Sequence, residues 1–391
     1  MLIANKHCNN SVDKHPIYQQ RATRCIFFCT GFLTAVWATL IPFLKVNTGA
    51  SDGELGGLLL CMGTGALVAM PLVGPLTSRF GCRTVITTGL LGLLVSVGFI
   101  PVITHFWVLT GVVMLAGVCI GAVDCAMNIQ AVLVEKASKK ALMSGFHGFY
   151  SLGGIVGAIV MAVMLSIVTV LTSVLISIVL VLCGFAYYQR FLLSYGNKET
   201  GPAFAWPKGA VIFIGLSCFC MFLAEGTVLD WSSVFLTEYR GVPLSYGGIG
   251  FAAFSIAMTI ARLTGDTIVT KYGGMKVVTV GTLLATCGLA AVLFVPDLYF
   301  AISGYFLIGL GAANVVPVMF SAIANQRDMS EHIAVPAVST MAYSGVLLGP
   351  ASIGVVAQSY NLSAALGIVF ILFLLVLALI KSIPYQAQQP G

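Results

Sequence analysis

Long apolar runs, each long enough to cross a lipid bilayer, recur from one end of the chain to the other. A membrane helix needs about 20 predominantly apolar residues, because the hydrocarbon core of a bilayer is about 30 Å thick. The runs are continuous and do not alternate with period two, which excludes a transmembrane β-barrel. The sequence therefore predicts an all-α membrane protein with twelve spans, numbered in chain order: 25–45, 54–77, 83–102, 106–134, 141–164, 167–189, 208–236, 246–270, 275–295, 298–323, 333–358 and 362–382.

The composition suits a chain that has lipid as its solvent. Of the 391 residues, 59% are hydrophobic and only 8% are charged, whereas soluble domains carry about 25% charged residues. The 43 glycines are typical of membrane helices that approach each other closely. The net charge of +6 is interpreted as a signal of topology, and no nucleic-acid partner is expected.

The positions of the basic residues predict that both termini are cytoplasmic. Sixteen of the 19 Lys and Arg residues precede span 1 or follow an even-numbered span. Only Lys45 and Arg240 fall on the other side, and Arg262 lies within span 8. Because cytoplasmic loops are enriched in Lys and Arg, the side with sixteen is assigned to the cytoplasm.

A polar break near the middle, at 190–207, divides the spans into two sets of six. The predicted organisation is a cytoplasmic tail, a six-helix bundle, a cytoplasmic loop, a second six-helix bundle and a cytoplasmic tail: 1–24, 25–189, 190–207, 208–383 and 384–391.

The two halves resemble each other, which indicates an internal repeat. Gly-Ala-Val-Asp at 121–124 parallels Gly-Ala-Ala-Asn at 311–314, and Arg-Phe-Gly at 79–81 parallels Lys-Tyr-Gly at 271–273. Two repeated bundles with a solute site at their interface are a recurrent transporter design. On this alignment Asn314 occupies the position that is related by the repeat to Asp124.

Motifs for catalysis, metal binding or ATP binding are not found in the sequence. The 11 cysteines have no metal-ligand spacing, and the five histidines form no zinc-protease motif. Neither a nucleophile elbow nor a phosphate-binding loop occurs. We therefore expect no enzyme activity, no cofactor, no metal site and no primary active transport.

Ionisable residues inside the spans are the strongest candidates for function, because they are costly in hydrocarbon. Asp124 lies near the middle of span 4, on one helix face with Gly117, Gly121 and Asn128. A poorly solvated carboxylate at this depth would exchange a proton near neutral pH. The alternative is a structural Asp that is hydrogen-bonded to a neighbouring helix.

In the second half, Glu225 in span 7 is the corresponding candidate for carrying a proton. Asp230 lies about 140° around the same helix, so it is either a solute ligand or a solvated residue at the rim. Arg262 and Asp266 in span 8 are spaced i, i+4 and are expected to pair as a structural latch. His147 begins span 5, where a gate, a packing role or proton handling are all open.

Several uncharged side chains are candidates for contacting the solute. Asn128 and Asn314 would supply hydrogen bonds, and aromatic rings would stack on a flat solute or a sugar ring. For Trp231, a lipid-facing aromatic belt is the competing interpretation. The aromatic candidates are Trp37, Tyr150, Trp231 and Tyr343.

Over essentially its whole length the chain resembles the major facilitator superfamily. The segment 74–83 looks like the signature loop that this superfamily carries between helices 2 and 3, and it suggests that Arg79 and Arg83 belong to a cytoplasmic gate with His147, Arg262 and Asp266. The chain is most similar to the fucose–proton symporter branch and its uncharacterised bacterial relatives. That likeness is carried by 124–128, 147–153, 224–226 and 230–231.

The resemblance departs from the family pattern at three places. Ser78 replaces an acidic residue of the signature loop, Thr270 replaces its counterpart in the second half, and the stretch 37–42 lacks the carboxylate of the fucose branch. The resemblance implies a monomeric transporter in a bacterial inner membrane. It would move a small polar, sugar-like solute together with a proton by alternating access. The alternative is a proton-driven exporter of drugs or metabolites with the same fold.

Overall fold

The computed structural model describes residues 16–50, 52–194, 206–243 and 247–383. Helices dominate all four ranges. Segment Asp52–Phe99 holds two helical arms, α2 before and α3 after the non-helical Gly81. The other helices are α1 Pro16–Thr48, α4 Phe106–Ser138, α5 Met143–Ile167, α6 Val170–Tyr188, α7 Ala210–Arg240, α8 Ile249–Tyr272, α9 Gly274–Phe294, α10 Leu298–Ile323, α11 Glu331–Ser359 and α12 Leu362–Leu379.

The prediction of twelve membrane spans is confirmed. Within the described residues, 11 helices are long and apolar enough to cross a membrane. One of them, Glu54–Val102, has 49 residues, more than twice the length of about 20 that a single crossing needs. Gly81 has φ 82° and ψ 156°, a conformation that is essentially restricted to glycine, so this segment crosses twice.

One predicted span is not a continuous helix. α10 consists of Leu298–Ala312 and Val315–Ile323, with a turn at residues 313–314 between the two pieces. Pro317 lies in the second piece and has no backbone N–H for the carbonyl of Ala313, four residues earlier. The loss of that hydrogen bond and the bulk of the proline ring account for the break.

The predicted ends of the chain fall partly outside the described residues. α1 begins at Pro16, so its first turns belong to the stretch 1–24 that was predicted to be a cytoplasmic tail. Residues 1–15, 195–205 of the predicted inter-bundle loop and the predicted tail 384–391 lie outside the described residues. The assignment of these segments to the cytoplasm stays a prediction.

The helices form two compact units. Unit 1 holds α1, α2, α3, α4, α6 and most of α5, together with the first residues of α11, Glu331–Pro336. Unit 2 holds α7, α8, α9, α10, α12 and most of α11, together with Lys139–Gly148, which includes the start of α5. The predicted bundle limits, 25–189 and 208–383, remain a prediction.

In unit 1, glycines bring helix backbones together at three places. A side chain at Gly117 of α4 would meet the carbonyl of Met62 in α2, and one at Gly153 of α5 would meet Phe28 in α1. A side chain at Gly89 of α3 would meet Val123 and the carbonyl of Cys119, both in α4. Such contacts replace the hydrophobic effect as the source of helix association in lipid.

Unit 2 repeats these contacts about 192 positions further along the chain. A side chain at Gly309 would meet Phe254, one at Gly345 would meet Phe219, and one at Gly281 would meet the carbonyl of Gly311. The turn is repeated as well, because Gly273 has φ 84° and ψ 141°. Gly81 and Gly273 are thus related, as are Gly117 and Gly309, and this register confirms the internal repeat.

Candidate functional site

The charged pair Glu225–Arg262 lies at the centre of unit 2. Glu225 is at the midpoint of α7 and Arg262 is close to the midpoint of α8. The Nη2 atom of Arg262 donates to Oε1 of Glu225 at 3.1 Å, and the two side chains are 10% and 18% exposed, respectively. Charges at this depth are tolerated when they pair with each other or with backbone carbonyls.

The break in α10 supplies the second ligand of Arg262. Because Pro317 donates no hydrogen bond to the carbonyl of Ala313, this oxygen is available to another donor. The Nε atom of Arg262 donates to it at 3.3 Å. The guanidinium is therefore held by a carboxylate on α7 and by a backbone carbonyl on α10.

Asn314 lies beside this group but is fixed by α8. Its Nδ2 atom donates to the carbonyl of Ala261 at 3.1 Å, and the residue is 6% exposed. Its Oδ1 atom is buried and has no hydrogen-bond partner among the residues that the structure describes. A buried acceptor without a partner is costly, so it is a candidate for binding a solute hydroxyl.

The predicted equivalence of Asn314 with Asp124 is wrong. In the register that the glycine contacts define, Asp124 corresponds to Val316, and Asn314 corresponds to Ala122. The sequence alignment relied on two similar tetrapeptides. The backbone contacts define an alignment of the two halves that differs from it by two residues. Unit 2 therefore has an apolar residue where unit 1 has an acid.

Asp124 lies in unit 1, two residues past the midpoint of α4, and is half-buried. Asn128, one turn later, donates from Nδ2 to the backbone carbonyl of Asp124 at 2.9 Å. The Oδ1 atom of Asn128 is buried without a partner in the described part of the chain. Gly117 and Gly121 pack against α2, so packing explains the glycines of this face.

The residues predicted to form a cytoplasmic gate lie on α2, α3, α5 and α8. Asp266 accepts a hydrogen bond from the backbone N–H of Gly145, at the start of α5, at 2.8 Å. The ring of His147 lies 6.2 Å from that of Phe320. Arg79 is exposed and lies over the ring of Phe80, and the backbone N–H of Arg83 donates to Leu193.

The predicted solute-binding aromatic residues are distributed over four helices. Trp37 is 8% exposed in α1. The hydroxyl of Tyr150 lies 3.0 Å from that of Thr34. In unit 2, a side chain at Gly354 would meet Trp231, and the ring of Tyr343 lies 6.2 Å from that of Phe222. Asp230 is exposed.

The sequence matches the family model of the Major Facilitator Superfamily over residues 25–335, well over half of the chain. The chain belongs to the major facilitator superfamily. The resemblance noted from the signature loop is thereby confirmed, and this superfamily is a family of membrane transporters.

Known proteins similar to this superfamily member agree in length and fold. An uncharacterised MFS-type transporter of Yersinia pestis is 44% identical over 369 residues, which cover 94% of this chain and 96% of that protein. The fucose:proton symporter FucP of E. coli has a TM-score of 0.79 at 14% identity, covering 94% of this chain and 99% of that one. The human organic anion transporter MFSD10 has a TM-score of 0.78 at 14% identity, with coverages of 93% and 99%. Likeness at 14% identity shows the fold alone.

Two features of this transporter were missed by sequence reasoning. The pairing of Arg262 with Glu225 joins two helices, whereas the spacing rule considers only residues of one helix. The bond from Arg262 to Ala313 follows from the break in α10, and Pro317 in the middle of an apolar span was the available signal. In the described ranges, no group of three or more His, Cys, Asp or Glu that could hold a metal ion occurs.

Proposed function

We propose that this chain is a secondary active transporter that moves a small polar solute together with a proton by alternating access. A sugar-like metabolite is the favoured solute, and the proton is carried by Glu225, Asp124 or both. The observation that carries the proposal is the Glu225–Arg262 pair, held at 3.1 Å in the middle of two membrane helices. A buried ion pair is weak evidence for stability alone, so a functional role is the better account of its presence.

Protonation of Glu225 would couple the proton to the solute. A proton on the carboxyl group removes its negative charge and weakens its hold on Arg262. The guanidinium keeps its bond to the carbonyl of Ala313 and turns its remaining donors to hydroxyl oxygens of the solute. Proton and solute then favour each other's binding, and the coupling is reciprocal by thermodynamic necessity.

The remaining polar groups fit a solute that is rich in hydroxyls. The amide oxygens of Asn128 and Asn314, which have no hydrogen-bond partner within the described residues, would accept hydrogen bonds from hydroxyl groups. Aromatic faces suit the apolar side of a sugar ring, a role proposed for Trp37, Tyr150, Trp231 and Tyr343. Asp230 stays in the proposal as a solute contact near the outer rim.

The contacts at the starts of α5 and α11 are proposed to act as a cytoplasmic gate. In unit 2, Asp266 holds the backbone of Gly145. In unit 1, Glu331 pairs with Lys136. Opening would break these contacts, and Arg79, Arg83, His147 and Arg262 are proposed as further members of the gate. The chain would act as a monomer in a bacterial inner membrane with both termini in the cytoplasm.

The proposal is tested in proteoliposomes with a panel of sugars and sugar acids. For a transported solute, the parent should accumulate it under an inward proton gradient and exchange it without one. Glu225→Gln and Asp124→Asn should each be examined, because a coupling carboxylate, when neutralised, leaves exchange intact and abolishes accumulation. Glu238→Gln is the matched control, since Glu238 is exposed on the same helix as Glu225. Accumulation by both variants at the level of the parent would refute proton coupling through these residues.

A proton-driven exporter of drugs or metabolites is the second candidate. It is favoured by the buried guanidinium of Arg262, which suits an anionic cargo, and by the fold shared with a human organic anion transporter. Export would appear in the same vesicles as proton-driven efflux of organic anions and not of neutral sugars.

A further inference from the structure

A crevice of about 430 Å³ lies within unit 2, and Asn314, which lies beside the Glu225–Arg262 pair, is one of its lining residues. Its walls are α8 and α9 and its floor is α10. Most of the lining is aliphatic, and a lysine and a tyrosine stand at one end. The side chains that define it are those of Ile260, Ile268, Tyr272, Lys276, Val280 and Leu284.

The crevice exists because α8 and α9 both pack on α10 and make few contacts with each other. Gly309 allows α8 to approach α10 at Phe254, and Gly281 allows α9 to approach it at Gly311. The two walls are therefore held down on the floor at separate points, and the space between them stays open along the helix axes.

Side chains in the walls of the crevice are exposed on the surface of the protein. Ile260 is 53% exposed and Val280 is 49% exposed. On helices long and apolar enough to cross a membrane, large aliphatic side chains with this exposure are expected to contact lipid. An acyl chain is the apolar group available in quantity at that surface.

The length of the crevice matches one leaflet. From Tyr272 to Ile260 on α8 the rise is about 18 Å, and from Lys276 to Leu284 on α9 it is about 12 Å, at about 1.5 Å per residue. Half of the hydrocarbon core is about 15 Å thick. One acyl chain that starts at the end of α8 would thus fill the crevice towards the bilayer centre.

The end of the crevice at the α8–α9 turn is basic. Lys276 lines it, and Nζ of Lys271 lies 5.1 Å from the centre of the Tyr272 ring. The distribution of Lys and Arg predicts that this end is cytoplasmic, where basic residues beside an intramembrane groove attract anionic head groups. We propose that this crevice is a binding site for an anionic phospholipid of the cytoplasmic leaflet, with the head group at Lys271 and Lys276 and one acyl chain between α8 and α9.

Native mass spectrometry of the purified full-length protein tests this inference. The protein would be titrated with phosphatidylglycerol or with phosphatidylcholine of the same acyl chains. The parent should retain phosphatidylglycerol more tightly. Lys276→Gln should weaken phosphatidylglycerol about fivefold, since a lysine near an anionic lipid surface is worth that much, and should leave phosphatidylcholine unchanged. Lys381→Gln, at the end of α12 in the same unit, is the control and should change neither lipid.

A second variant tests the groove independently of charge. Val280→Trp would fill the space between the walls and should reduce retention of both lipids, whereas Leu283→Trp, on an exposed face of α9 outside the crevice, should not. Melting temperatures would verify that each variant is folded. Phosphatidylglycerol binding by Val280→Trp and Lys276→Gln that equals binding by the parent would overturn the proposal. Solute transport is not part of this test, so its outcome is separate from that of the proposed function.

Discussion

Units 1 and 2 share their backbone contacts but not their charges. Gly117 and Gly309 support matching helix contacts, and Gly81 and Gly273 form matching turns. At the related positions, unit 1 has Thr34, Met70 and Asp124 where unit 2 has Glu225, Arg262 and Val316. The comparison teaches that the two units have the same close helix packing, while the charged residues near mid-helix differ between them.

The two carboxylates also differ in their surroundings. Glu225 is paired across two helices, and its partner is held by a helix break. Asp124 belongs to an uninterrupted α4 and shares its turn with Asn128. In the proposed mechanism, protonation of Glu225 would rearrange this group of residues in unit 2, which makes Glu225 the stronger candidate for coupling.

The largest expected effect comes from replacing Arg262 by methionine, the residue type at the related position of unit 1, Met70. Arg262→Met leaves Glu225 buried without its partner, and breaking a buried pair costs about 3–5 kcal/mol. The melting temperature in detergent should fall steeply, and adding Glu225→Gln should restore most of it. Met70→Leu, a buried aliphatic exchange in unit 1, is the control and should cost less than about 1.5 kcal/mol. An Arg262→Met protein as stable as the parent would contradict the account of the pair.

The next largest effect is expected from substituting the glycine in each of the two turns. Gly81→Ala and Gly273→Ala each force a side chain into a backbone conformation that only glycine adopts readily, at a cost of about 1–3 kcal/mol. We expect similar falls in melting temperature for both. Gly111→Ala should cause no fall, because Gly111 is helical and has open space around it. A fall in only one of the two turn variants would break the equivalence between the units.

A smaller effect should follow from a substitution that makes α10 a continuous helix. Pro317→Ala supplies an N–H for the carbonyl of Ala313 and removes that oxygen from Arg262, at a cost of about 0.5–1.5 kcal/mol. Hydrogen exchange should show slower exchange around residues 313–318, and proton-driven accumulation should fall less than tenfold. Pro42→Ala, in α1, is the control. Unchanged exchange in Pro317→Ala would mean that another cause breaks the helix.

Much of the fold was predictable, because spanning length and hydropathy act locally. Span 7 was predicted at 208–236 and α7 is Ala210–Arg240. The parallel between 79–81 and 271–273 was correct, since glycine with positive φ leaves a trace in the sequence. The pairing of Glu225 with Arg262 was not predictable, because it depends on how two helices face each other. The incorrect alignment of Asp124 with Asn314 shows that a match of four similar residues is weaker evidence for a repeat register than a series of backbone contacts.

The most direct test measures the movement of protons that a solute gradient drives across the membrane. Proteoliposomes that contain a pH-sensitive dye and a transported solute gradient would report solute-driven proton movement. The parent and Glu238→Gln should move protons with the solute, whereas Glu225→Gln should exchange the solute and move no protons. Solute-driven proton movement by Glu225→Gln at the rate of the parent would contradict the claim that Glu225, released from Arg262, carries the coupled proton.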